Sequence, residues 1–157
     1  SLAKIILHGL VFVLTRLPLP PSSNQLYSSV KGRLIKSIEG RKYDNLIQLY
    51  KLKKFRDLEK IASSFGSDDL LNIETIFIFN KNRIVGKKGQ IKRLDASNRI
   101  KQLHDGLSTL LGIDDCRFVS GIFSNATCQN EKDEQVIVKI TKSELLTLDQ
   151  VTQGLSY

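Results

Sequence analysis

The chain has 157 residues, 41% apolar and 25% charged, with a formal net charge of +8 and a sequence pI near 9.6. That length fits one compact domain, and the apolar share excludes a disordered chain and suffices for a core. The positive excess speaks to partners more than to fold, and it makes polyanions the natural candidates: DNA, RNA or an anionic membrane surface.

Residues 3–14 form an apolar run that is too short, at about a dozen residues, to span a bilayer. His8 and Gly9 interrupt it, and it runs into Arg16 and three prolines with no small-residue cleavage site. It therefore reads as a buried strand rather than a signal peptide, and nothing else approaches a membrane span, so a soluble intracellular chain is expected. The absence of methionine and the opening Ser1 read as a trimmed start.

Residues 9–17 predict a first strand, which Pro18, Pro20 and Pro21 end because proline offers no backbone donor. Residues 20–29 read as a loop. Ser37 is the expected N-cap of a helix from 38 to about 63, weakened in its first turn by Gly40. Its apolar positions are Tyr43, Leu46, Ile47, Tyr50, Leu52, Phe55 and Leu58, with Lys51, Lys53, Lys54 and Lys60 on the other face. A turn over 65–69 leads to a strand over 71–80 that carries Ile73, Ile76 and Ile78.

Residues 80–93 read as a polar, glycine-bearing loop. A second helix is expected over 95–111, with Ile100, Leu103, Leu107, Leu110 and Leu111 in one stripe and Gly112 as its stop. Residues 116–123 and 135–140 predict two more strands around a turn at 130–133, and a short helix is expected over 143–152. The order β-α-β-α-β-β predicts an α+β fold, with helices on one face of a mostly antiparallel sheet. A single domain is expected over 1–157, with its core in 9–140 and an extension over 141–157. Cys116 and Cys128 match no zinc spacing and read as two buried or partly buried free thiols.

One segment carries chemistry: residues 92–107, KRLDASNRIKQLHDGL, followed by GIDD at 112–115. Asp95 lies at the mouth of the helix. Asn98, Lys101 and Asp105 share a flank away from the leucine stripe, and Asp114 and Asp115 open the next strand. Carboxylates converging in a basic protein suggest Mg²⁺, a hard cation with oxygen ligands, which offsets repulsion from phosphate and stabilises charge during phosphodiester cleavage. The plainer reading makes Asp95 or Ser97 a helix cap, Lys101 and Asp105 a surface pair, and Asp114 and Asp115 turn residues.

The same segment resembles the RusA-like Holliday-junction resolvases, whose motif runs Asp-x-Asp-Asn-x-x-Lys-x-x-x-Asp and is followed, after a glycine-containing turn, by Asp-Asp. The corresponding residues are Asp95, Ser97, Asn98, Lys101 and Asp105, then Asp114 and Asp115. A second block is similar as well. The family's Pro-Pro-Ser-x-Asn-x-x-Tyr loop, Gly-Arg step and Ser-x-Glu-Gly-x-x-Tyr helix start correspond to residues 20–27, Gly32-Arg33 and residues 37–43.

The resemblance implies a homodimer that resolves four-way DNA junctions in recombination and repair, with Mg²⁺ or Mn²⁺ as cofactor. It implies Asp95 and Asp115 as metal ligands with catalytic roles, Asp114 as a third ligand and Lys101 as the catalytic lysine. It also implies a cytoplasmic setting, nucleoid-associated or phage-encoded. The chain departs from the motif at Ser97, where a neutral hydroxyl replaces a carboxylate. Three readings follow: Asp114 or Asp105 takes over, the site works with fewer carboxylates, or the protein binds junctions without cutting them.

The DNA surface is expected on the basic run of Lys81, Arg83, Lys87, Lys88, Lys92, Arg93, Arg99 and Lys101, and on Lys31, Arg33, Lys36, Arg41 and Lys42. Asn24 and Tyr27 in the proline-rich loop and Asn98 on the helix are further contacts, with Tyr27 able to stack on an exposed base. No base-reading motif is present, so recognition by shape and a steep salt dependence are expected. A basic RNA-binding or scaffold module is the remaining alternative.

Overall fold

A computed structural model of the chain describes residues 3–6, 9–22, 27–92 and 96–155. In chain order the strands and helices are β1 (Ala3–Ile6), β2 (Gly9–Leu17), β3 (Tyr27–Val30), β4 (Arg33–Lys36), α1 (Ile38–Lys53) and α2 (Phe55–Ser63). Then come β5 (Leu70–Asn80), α3 (Lys81–Ile84), α4 (Ala96–Leu111), β6 (Phe118–Ser120), β7 (Phe123–Cys128), β8 (Gln135–Ser143) and α5 (Leu148–Gln153). The fold is α+β, as the order of elements predicts.

Six strands form one sheet in the order β1-β2-β8-β5, with β6 and β7 both on the far edge of β5. The pairs β1/β2, β2/β8 and β8/β5 are antiparallel, whereas β6 and β7 run parallel to β5. Alternation of side chains sorts the two faces. Leu71, Ile73, Phe77 and Phe79 of β5 turn to one side with Val136, Val138 and Ile140 of β8 and Phe12, Leu14 and Leu17 of β2. The helices cover that side with Tyr43, Ile47, Leu58, Ile61, Leu103, Leu107 and Leu110. On the other face Ile76 is exposed, and Glu74 meets Lys139 across the strands at 3.1 Å.

Several expected boundaries move. The helix over 38–63 is two helices with a break at Lys54, whose φ and ψ are −112° and 19°. Gly40, Tyr43, Ile47 and Tyr50 form the buried stripe, and the next position on it is Lys54. A lysine does not bury there, so the axis turns and Leu58 and Ile61 face the core, while Leu46, Leu52 and Phe55 stay exposed. The Ser37 cap is present, its Oγ accepting from the Gly40 N–H at 3.1 Å.

The loop expected to Ser29 gives way at Tyr27 to the β3/β4 hairpin. Its turn residues Lys31 and Gly32 both have positive φ, 51° and 75°, the geometry that matches strand twist. Residues 81–84 are helical, with the Asn80 side chain accepting from the Asn82 N–H, and Val85 bridges Ile91. The strand expected over 116–123 begins at Phe118, breaks at Gly121 and resumes as β7 to Cys128. The last helix starts at Leu148, where Thr147 and Gln150 form a reciprocal capping box, and Ser143 stays in β8. Cys116 and Cys128 are free, but Cys116 is exposed on a 3-10 turn rather than buried. Among the described residues, no helix is long and apolar enough to cross a membrane.

Candidate functional site

Helix α4 carries most of the candidate residues singled out by the motif. Its buried side holds Leu103, Leu107, Leu110 and Leu111, with Ile100 packed against the same core. Gly112, at φ +64°, ends it, and the Gly112 N–H donates to the Ser108 carbonyl at 2.8 Å. The opposite side is exposed, and Ser97, Lys101 and Asp105 stand on it four residues apart in one row, with Asn98 beside them.

The turn at Gly112 folds the chain back on α4. Residues Asp115–Arg117 form a 3-10 turn, and the Asp114 carboxylate caps it by accepting from the Cys116 N–H at 3.0 Å. That hydrogen bond holds the Asp114 carboxyl below its usual range. Asp115 is brought to Asp105. Burial first, then the charge of Asp115, push the Asp105 carboxyl up, against the pull of Lys101 and His104.

His104 is the residue the motif did not single out. Its ring meets Phe118 edge-on at 5.4 Å and an angle of 81°, which pins the stretch after Asp115 to the helix. Burial lowers its pKa despite the neighbouring Asp115 and Asp105, so the ring favours the neutral form. Gln102, Asp105 and Gly106 also face a cleft of about 370 Å³ shared with Tyr43 and Asp44 of α1.

The two motif blocks meet in space. The Arg99 guanidinium donates to the Pro20 carbonyl, and Gln102 Nε2 donates to the Pro21 carbonyl at 3.0 Å. Arg99 also lies over the Phe79 ring, 5.2 Å from its centroid. This corrects the place of Arg99 in the basic run: it is buried and holds the proline segment against α4. The signal lay in the sequence, because Arg99 stands one turn before Leu103 on the core side.

The other described basic residues of the two clusters are on the surface. Arg33, Arg41, Lys87, Lys88 and Lys92 are all exposed, as is Asn98. Arg83 is committed to Glu134 at 3.0 Å and Lys36 to Asp44 at 2.5 Å. Lys87 and Lys88 sit in a turn closed by the Gly86 N–H donating to the Gln90 carbonyl at 2.7 Å, and Lys92 Nζ donates to the Asn82 carbonyl at 3.1 Å. Segment 80–92 is thus an ordered platform rather than an open loop. Asp95, Arg93, Asn24 and the Tyr27 side chain lie outside the described residues. Among the described residues, no three His, Cys, Asp or Glu side chains converge as a metal-holding group.

No curated protein matches the chain. Among solved structures it is similar to the periplasmic domain of Helicobacter pylori MotB (residues 97–256), at 15% identity and a TM-score of 0.39 over 99% of this chain and 96% of that one. It is also similar to IspF of Plasmodium falciparum in complex with CDP, at 11% identity and a TM-score of 0.27 over 85% of this chain and 90% of that one. Likeness at this level carries no argument about function. The family model described as Endodeoxyribonuclease RusA matches residues 18–141, from the proline segment through α4 and the Asp114-Asp115 turn to the end of the sheet. That span contains both motif blocks and the clamp that joins them, and the chain belongs to the RusA endodeoxyribonuclease family.

Proposed function

We propose that the chain is a divalent-metal-dependent, structure-specific endodeoxyribonuclease that resolves four-way DNA junctions in recombination and repair. The observation that carries this reading is the return of the chain at Gly112, which sets the Asp115 carboxyl near Asp105 on the exposed side of α4, one turn from Lys101. Two neighbouring carboxyls repel when both are ionised, and a hard cation relieves that cost with oxygen ligands alone. In this reading Asp95 and Asp115 hold Mg²⁺ or Mn²⁺, and Asp105 supplies the carboxylate that Ser97 lacks. Asp114 is the lesser ligand because it already caps the turn. The bound cation would act as a Lewis acid on the scissile phosphate.

The chain's own residues do the rest. Lys101 stands one turn from Asp105 and places a positive charge where the phosphate oxygens gain charge during cleavage. Arg33, Arg41, Lys87, Lys88, Lys92 and Arg93 take the phosphates of the arms, and Asn24, Tyr27 and Asn98 are further contacts to the junction. A homodimer fits a junction of near two-fold symmetry that needs two nicks, and an intracellular setting follows from the substrate. Residues 1–157 act as one domain, with 141–157 as an extension beyond the family core.

Ser97 favours a second reading, a junction-binding protein that does not cut. A nicking assay on a four-way junction, with Mg²⁺, Mn²⁺ or chelator, separates the two. The nuclease reading expects symmetric nicking that chelator stops, that Asp95→Asn and Asp115→Asn abolish, and that Lys101→Ala slows by about 10²–10³-fold, the loss typical of one transition-state charge contact. Tight junction binding with cleavage only after Ser97→Asp would establish the binding protein instead.

A further inference from the structure

The C-terminal segment is apolar, and among the described residues nothing covers it. Leu145, Leu146, Leu148 and Leu155 are 70%, 66%, 77% and 54% exposed, and Leu148 and Val151 stand three apart on one side of α5. A helix of six residues is marginal in water, yet this one carries a complete capping box, so it is built to be helical where it docks. The segment from 144 to 157 contains Glu144 and Asp149 and no basic residue. Neither carboxylate forms a salt bridge among the described residues. This stretch lies past residue 141, where the family match ends.

A groove of matching character lies at the far end of the sheet. It holds about 330 Å³ between the end of β2 and α1, with Pro18, Leu46 and Leu49 as its apolar lining. Lys53, Lys54 and Lys132 rim it, and none of the three forms a salt bridge among the described residues. Leu46 and Leu49 are about half exposed, at 49% and 52%. The groove is basic and apolar, and the segment is acidic and apolar.

The segment does not reach the groove of its own chain. The groove abuts Glu134 and Gln135, where β8 begins, whereas the segment leaves from Ser143, where β8 ends. Eight steps of strand separate those points by about 26 Å. The four residues from 144 to the Thr147 cap extend at most about 14 Å. A second copy is therefore the occupant that satisfies both surfaces, and two-fold exchange satisfies each of them twice.

We infer that two copies of this chain exchange C-terminal segments, each placing Leu148 and Val151 of α5 in the Leu46–Leu49 groove of the other under its lysine rim. The inference rests on the homodimer proposed above. Sedimentation equilibrium of the full chain tests it, with Leu148→Asp in the segment and Leu49→Asp in the groove. Both side chains are exposed, so folding is not at stake, and far-UV circular dichroism checks that.

The wild type is expected to be a dimer, and each variant to raise the dissociation constant by about 100-fold or more, as loss of a central leucine contact made twice would do. Mixed one to one, the two variants should associate with each other more tightly than either does with itself, because one intact segment then meets one intact groove. Dimers that persist in either variant, or a mixture no tighter than its parts, overturn the exchange while leaving the homodimer in place. A monomeric wild type overturns both. A Leu49→Asp chain that stays dimeric but loses junction affinity makes the groove a DNA surface and also overturns the exchange.

Discussion

Gly121 marks how closely the backbone is packed where the edge strand breaks. A Cβ built there would stand 2.0 Å from the Ile73 carbonyl oxygen, which is main chain and does not yield. Gly121→Ala should cost about 3 kcal/mol or more, measured by urea denaturation, since β5 or the edge strand must shift to admit a methyl group. Asp69 offers a pH test. Its carboxyl accepts from the Gly66 N–H at 2.7 Å and pairs with Lys142 at 3.2 Å, and these partners, the Gly66 N–H first, hold its pKa below the ordinary 3.8. A depressed carboxyl stabilises the fold at all pH values above its unfolded pKa, and that contribution is lost as pH falls through the folded value. The gap in stability between wild type and Asp69→Asn is therefore expected to be full at pH 6 and to close on acidification below about 4. The Ser37 cap and the exposed placement of Lys101 and Asn98 on α4 were legible directly, because they follow from helical spacing. The sequence did not reveal which acid joins Asp115. That choice rests on the left-handed bend at Gly112, which turns Asp115 onto α4 and spends Asp114 on a cap.

Periodic elements were the legible ones. The stripe of α4 and the alternation of β5 follow from burial on one face, and both stand within a residue or so of their expected ends. Elements that depend on partners were not legible. The β3 half of the hairpin is hydroxyl-rich and reads as loop until the Lys31-Gly32 turn pairs it with β4. The edge formed by β6 and β7 is interrupted at Gly121, so its pattern does not hold across the break. The clamp between the proline segment and α4 was hidden for another reason: Arg99 sits among lysines and arginines that face solvent. Its removal should differ from theirs. Arg99→Ala leaves the Pro20 carbonyl without its charged donor and should cost about 2–3 kcal/mol in denaturation, the range for a hydrogen bond to a charged group. Lys88→Ala, on an exposed turn, should leave stability unchanged within about 0.5 kcal/mol.

For the molecule as a whole, sequence order predicted the fold class but not the direction of the last edge. The chain passes from α4 across to the far side of β5 and lays β6 and β7 parallel to it, so β5 and β8 each have partners on both sides along much of their length. The β3/β4 hairpin forms a separate two-stranded sheet with no such support. This unequal bonding has a consequence in time. In heavy water the amides of β5 and the facing amides of β8 should exchange only when the entire domain opens, while those of the hairpin exchange through local fraying, orders of magnitude sooner. Mass spectra of peptides taken along an exchange series would record that gradient. Equal rates in β5 and the hairpin would mean that the molecule opens as one unit and that the central pair of strands holds no privileged place.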